Sequence, residues 1–203
     1  MRIVFTGPIG SGKSTMADAI RANPEAFAGT QFVAHLSFAE ALRVEVMGLL
    51  KSAGIFLPND SPALLRDPLY KLRYRPLLQS WGQLRREINK DHWVSIVKGQ
   101  LSAIIREWES TALITADDCR YFNEYDLYDQ HHFHFIRLAP GPNSPTIDVD
   151  HPSERDWPNF QHELYLEWAP VKDRLAMIYQ HFGDRVVWEN VPIDYRPSMG
   201  RLL

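Results

Sequence analysis

The 203-residue chain has a single cysteine, Cys119, so it cannot hold an internal disulfide framework. It has no apolar run approaching the roughly 20 residues of a membrane span. The start Met1-Arg2-Ile3-Val4-Phe5 leads straight into the first motif, which leaves no room for a signal peptide. There is no internal repeat and no low-complexity segment. Basic residues are not in excess: 22 Lys and Arg stand against 25 Asp and Glu, a formal net charge of −3. Bulk attraction to nucleic acid or to an anionic membrane is therefore disfavoured. These absences point to a cytoplasmic protein with no membrane partner, with nucleic acid as a disfavoured one. With 45% hydrophobic residues, the length suits one sizeable core.

What is present begins at once. Gly7-Pro8-Ile9-Gly10-Ser11-Gly12-Lys13-Ser14 satisfies the phosphate-loop pattern G-x-x-x-x-G-K-[ST]. Arg2-Ile3-Val4-Phe5-Thr6 before it reads as a buried parallel strand, and Thr15 to Ala22 after it as a helix. The residue types have a direct reason: backbone N–H groups at a helix N-terminus wrap a polyphosphate, and side chains would block that approach. Gly10 and Gly12 remove the obstruction, and Ser11, Ser14 and Thr15 continue the cradle. Lys13 can reach the β- and γ-phosphates, while the Ser14 hydroxyl is placed to ligate Mg²⁺. ATP with Mg²⁺ is the expected ligand.

Along the chain, Gln31 to Leu36 reads as a second strand, and Ser37 with Glu40 forms a capping-box pattern for a helix to about Ala53, stopped by Gly54. Phe56 to Pro68 holds three prolines and reads as a surface loop. Pro76 to Asn89 reads as a helix with Pro76 in its first turn. Leu77, Trp81, Leu84 and Ile88 form its expected buried stripe, and Arg75, Gln79, Gly82 and Arg86 another face. A helix from His92 to about Trp108, a strand at Ala112 to Thr115, a helix at Phe122 to Gln130 and a strand at His132 to Leu138 follow. Ala139 to Pro158 contains five prolines and reads as a lid-like loop. Glu163 to Trp168, Pro170 to Phe182 and Arg185 to Trp188 read as strand, helix and strand. The alternation predicts an α/β fold with a central parallel sheet.

Five arginines, Arg66, Arg73, Arg75, Arg85 and Arg86, lie close together with Lys71. They read either as a solvated helix face or as an anion site. Gly82 within a helix and its neighbour Trp81 favour the second reading, since a gap for a ligand would account for both. A guanidinium fork on Arg75 or Arg86 matches a monophosphate, and Trp93 or Phe38 could stack on a base. Past the third strand, Asp118 could hold a Mg²⁺-bound water or a substrate sugar, and Arg120 could neutralise the transferring phosphoryl group. The bland alternative is an Asp-Arg pair with Glu124 on an exposed helix. Their position at the carboxyl edge of the sheet favours function. His131, His132 and His134 lack the further ligands of a metal centre, although His132 and His134 would share one strand face. Cys119 reads as a small buried residue.

In order, the phosphate loop, Ser37-Phe38-Ala39-Glu40-Ala41-Leu42, Arg75-Pro76-Leu77-Leu78-Gln79-Ser80-Trp81-Gly82, Asp91-His92-Trp93-Val94, Asp118 to Glu124 and His151-Pro152-Ser153-Glu154 resemble the deoxynucleoside monophosphate kinases of tailed bacteriophages. The resemblance covers most of residues 1 to 155. It implies one P-loop kinase domain over 1–203, three-layered α/β/α, with a helical nucleotide-binding region at about 55–110 and a lid at about 139–158. It implies ATP-dependent phosphorylation of a deoxynucleoside monophosphate (dNMP), in the host cytoplasm if phage-encoded. Arg75, Gly82 and Trp93 fall where family members contact the nucleotide, and Phe38, Gln79, Arg86, Arg120 and Glu124 complete the expected acceptor site. Catalysis is expected from Lys13, Asp118 and Arg120, and metal binding from Ser14 and Asp118. A homodimer stays open. So do two other functions: phosphorylation of a hydroxymethylated pyrimidine in phage DNA, and non-catalytic nucleotide binding. Ser14 stands where many family members carry Asp, and Glu167-Trp168-Ala169-Pro170 replaces their usual Asn-Asp-Gly ending.

Overall fold

The computed structural model describes residues 1–144 and 154–195, apart from the side chains of Asp60 and Pro68. His151, Pro152, Ser153 and the middle of the expected lid lie outside the described residues. The described strands are β1 (Arg2–Thr6), β2 (Phe32–Leu36), β3 (Ala112–Ala116), β4 (His134–Leu138) and β5 (Leu164–Leu166). They form one all-parallel sheet in the order β2-β3-β1-β4-β5. The described α-helices are α1 (Lys13–Arg21), α2 (Phe38–Ser52), α3 (Pro68–Ile88), α4 (His92–Trp108), α5 (Phe122–Gln130) and α6 (Val171–His181). The fold is therefore α/β, consistent with an α/β/α arrangement. Among the described residues no helix is long and apolar enough to cross a membrane.

The chain divides into two compact units: residues 1–36 with residues from 102 onward, and residues 37–101. The first is built on the sheet. Ile3 and Phe5 of β1, Leu113 of β3, Ile136 and Leu138 of β4 and Leu166 of β5 pack with Met16 and Ile20 of α1 and Leu175 and Ile178 of α6. Full burial stabilises each such side chain by about 1.5–3 kcal/mol. β1, at the centre, is buried along nearly its whole length because both of its faces are covered.

The second unit has its own core of Val46, Met47, Leu50, Leu57 and Leu65, with Leu42, Leu77 and Trp81 packed against it. Ser37 caps α2 by accepting the Glu40 N–H at 3.1 Å. Three expectations are corrected here. Residues 56–68 are not a free loop: Pro58–Asp60 and Pro62–Arg66 form short 3₁₀ turns, and Leu57 and Leu65 are buried. Pro76 does not open α3 but lies inside it, since Asp67 and Pro68 supply the start, Asp67 accepting the Leu69 N–H at 2.9 Å. Proline removes the donor that would meet the Leu72 carbonyl, and that turn is exposed enough for water to replace it. The expected stripe is only half buried, with Ile88 71% exposed.

Two corrections fall in the first unit. His132 is not in a strand: it adopts φ 56° in the turn that ends α5, where His132 and Phe133 donate to the Asp129 and Tyr128 carbonyls. Nor do residues 185–188 form a strand. Val186 makes an isolated antiparallel bridge with Phe27, flanked by Ala28 N–H to the Arg185 carbonyl and Val187 N–H to the Ala26 carbonyl.

Candidate functional site

The site grows from the carboxyl ends of β1 and β3, neighbouring strands from which the chain leaves toward opposite edges of the sheet. Open α/β sheets bind ligands at such a point. β1 ends at Thr6 and the phosphate loop follows. Gly7 has φ 135°, and a Cβ there would come within 2.5 Å of the Leu138 carbonyl oxygen and 2.9 Å of Ser11 Oγ. Any side chain at residue 7 would push the loop off β4. Gly12, at φ 88°, is the N-cap of α1, and among the described residues no side chain caps the helix amides behind it. Ser11 is 2% exposed, and its Oγ has no hydrogen-bond partner among the described residues. A buried, unsatisfied hydroxyl beside uncapped amides is what an oxyanion ligand would satisfy, so the loop fits a polyphosphate.

Lys13 Nζ donates to the Gly7 and Pro8 carbonyls at 2.9 and 2.7 Å. Burial, and then the charge of Arg120, pull its pKa down to about 7, against the opposing pull of Asp117, Glu154 and Asp118. The Ser14 hydroxyl lies near enough to the Asp117 carboxylate to help lower its pKa. His35 at the end of β2 approaches the same carboxylate, Nε2 to Oδ1 at 3.2 Å, while its Nδ1 lies 3.1 Å from Thr115 Oγ1. Burial alone would raise the Asp117 pKa. The hydrogen bonds from His35 and Ser14 and the charges of His35 and Lys13 outweigh it and hold the carboxyl at about 2. A serine hydroxyl beside a committed carboxylate is a hard-oxygen donor set of the kind that suits Mg²⁺.

Sequence reasoning missed Asp117 and His35. Asp118 is close enough to act electrostatically on Lys13, but Asp117 is the acid that meets Ser14. Arg120 pairs with Glu154, Nη1 to Oε1 at 2.5 Å, and Glu154 also accepts Trp157 Nε1 at 2.9 Å. Glu124, expected to contact substrate, is 1% exposed, and its Oε2 accepts the main-chain N–H groups of Arg120 and Tyr121 at 2.7 and 3.2 Å. Its work is to shape the turn that presents Arg120. Gly10 and Thr15 are exposed on the loop and on α1.

Thr6 Oγ1 lies 2.7 Å from His162 Nε2. Burial, and then Arg137, lower the His162 pKa to about 4. A histidine whose folded pKa is depressed favours folding above its unfolded value of 6.5, and that contribution is lost as the pH falls toward 4. Half-burial discounts the effect to about 1–2 kcal/mol. Urea unfolding at pH 7 and pH 5 should therefore show a smaller acid loss of stability in His162→Gln than in the parent chain.

Of the residues expected to hold the acceptor, Phe38, Arg75, Gln79, Gly82, Arg86 and Trp93 lie in the second unit, and Arg120 and Glu124 in the first. Arg75 and Gln79 are exposed on α3, and Arg86 folds back toward the Gly82 carbonyl at 3.4 Å. The space left at Gly82 is taken by Leu42, whose Cδ2 would lie 3.3 Å from a Cβ there, so packing explains this glycine. Phe38 and Trp93, expected to stack on a base, are 3% and 2% exposed, and Trp93 Nε1 donates to the Gly82 carbonyl at 3.4 Å. Both are core side chains with no ring face open to a base. The tightest polar cluster of this unit centres instead on Glu45. It accepts Trp81 Nε1 and Arg85 Nε at 2.8 Å each and meets His92 Nε2 at 2.6 Å, tying α2 to α3 and α4. Burial would raise the Glu45 pKa, but these contacts lower it. Glu45→Ala leaves an indole N–H and a guanidinium without their acceptor. It should cost about 1–3 kcal/mol in chemical unfolding, with Glu45→Gln retaining part.

Neither a scan against protein-family models nor a search of curated proteins returns a match to this chain.

Proposed function

We propose that the chain is a Mg²⁺-dependent phosphotransferase that moves the γ-phosphoryl group of ATP to a deoxynucleoside 5′-monophosphate. The observation that carries this reading is the carboxylate of Asp117, at the end of the strand beside the phosphate loop, which His35 Nε2 meets at 3.2 Å and on which Ser14, the last residue of the loop pattern, also acts. Strand, loop and helix together bind a polyphosphate; a carboxylate set against the loop hydroxyl adds the means to hold its metal.

In this reading Ser14 and Asp117 would hold the Mg²⁺, which when bound would supply positive charge to the polyphosphate. Lys13 leaves the Gly7 and Pro8 carbonyls and places its ammonium on the phosphates, which restores the protonated form that burial disfavours. Arg120, whose charge is felt by Lys13, turns from Glu154 to the group in transfer. Arg75 and Arg86 recognise the acceptor phosphate. No general base is needed, because a phosphate monoester is largely ionised near pH 7. Positioning and charge neutralisation supply the rate.

The test is a coupled assay for ADP with ATP, Mg²⁺ and each of the four dNMPs. Turnover with at least one is expected, and no ADP with any would overturn the reading. ATP binding without turnover would favour a non-catalytic nucleotide-binding protein.

A further inference from the structure

Helix α6 carries a charge in a place that ordinarily disfavours one. Arg174, in its first turn, is 3% exposed. Its Nε donates to the Glu167 carbonyl at 3.0 Å, Nη1 to the Ser11 carbonyl at 2.8 Å and Nη2 to the Ala139 carbonyl at 3.0 Å. These acceptors lie on three separate segments: the phosphate loop after β1, the exit of β4 and the exit of β5. Among the described residues every hydrogen-bond acceptor of this guanidinium is a main-chain carbonyl.

Two costs attach to this arrangement. A buried cation is expensive unless an anion compensates it. A positive side chain in the first turn of a helix also opposes the helix dipole. Carbonyl dipoles satisfy the donors, and the Glu167 carboxylate acts on the charge only through space, with no ion pair to it among the described residues. That charge sits behind Gly12, where a Cβ would lie 3.7 Å from Nη1.

Peptide geometry supplies the direction of the effect. The Ser11–Gly12 peptide is planar and trans, so its C=O and N–H point oppositely. With the Ser11 carbonyl held on Arg174, the Gly12 N–H must point away from α6. We propose that Arg174 is the positioning residue of the phosphate loop: it sets the orientation of the Ser11–Gly12 peptide and supplies a fixed positive charge behind the bound polyphosphate. This rests on the reading of the loop as a triphosphate site.

The test uses the full chain with Arg174→Met and Arg174→Lys, inorganic tripolyphosphate and ATP as titrants, and thermal melting alongside. Both variants should melt cooperatively. Arg174→Met should bind tripolyphosphate and ATP at least about tenfold more weakly, as expected for loss of charge-assisted contacts. Arg174→Lys, which keeps the charge but not the fork, should recover part of that loss. In turnover the KM for ATP should rise while the KM for the acceptor stays level, a split that a general loosening of the fold would not produce. Folded variants that bind tripolyphosphate within about twofold of the parent chain, a margin worth only about 0.4 kcal/mol, would overturn the inference. So would failure of both variants to fold, which would make Arg174 a brace of the fold alone. If the parent chain itself binds neither titrant, the phosphate-loop reading falls first, and that result is distinct from either of the others.

Discussion

Lys13→Ala should lose phosphoryl transfer by about 10²–10³-fold or more, the scale seen when one preorganised charge is taken from a transition state. The fold should survive. Lys13 is largely buried, and its donors end on two carbonyls of its own loop, so the substitution removes a desolvated charge and no ion pair holding distant segments. Melting temperature within a few degrees of the parent, together with lost ADP formation, is the expected pair of results. Retained turnover in a folded Lys13→Ala protein would count directly against the proposed chemistry. Lys13→Arg should not rescue it, because a planar fork cannot replace a compact ammonium between the loop carbonyls.

The second large effect separates two adjacent acids. Asp117→Asn should lower turnover by about 10²-fold or more and raise the Mg²⁺ concentration needed for half-activity, because it removes the charge beside Ser14. Asp118→Asn should lower it much less, since Asp118 acts on Lys13 through space and is not the carboxylate that Ser14 meets. A Mg²⁺ titration of both variants at saturating ATP decides between them. Equal losses, or a larger loss at Asp118, would return the metal role to the acid that the sequence first suggests.

Why the sequence misassigns this role is instructive. The strand ending at Ala116 is buried throughout, so its letters do not reveal which of Asp117 and Asp118 faces the loop. The answer lies in the register between β2 and β3. His35 pairs with Thr115, so the residue two positions on, Asp117, falls on the same side and meets the same imidazole. That pairing joins residues 80 apart and is invisible to any local pattern.

Where the governing physics is local, sequence and structure agree closely. The Ser37 cap and helix α5 stand as read, because each depends on residues within a turn of one another. The aromatic residues show the opposite. Trp93 and Phe38 look equally suited to a core and to a base-stacking platform, and only their burial in the folded chain commits them to the core. Gly82 is similar: its missing side chain is filled by Leu42, a neighbour 40 positions earlier.

The strand order also bears on how the protein comes into being during synthesis. β1 is the first strand to leave the ribosome, yet its partners β3 and β4 begin only at Ala112 and His134. The brace on its loop comes later still, with Arg174 lying 163 positions beyond Ser11. The phosphate-loop residues must wait through most of translation for these distant partners, an arrangement that favours slow folding through distant contacts. A nascent chain halted before α6 would carry the full phosphate-loop sequence without the geometry, and should not be retained on immobilised ATP until α6 has emerged.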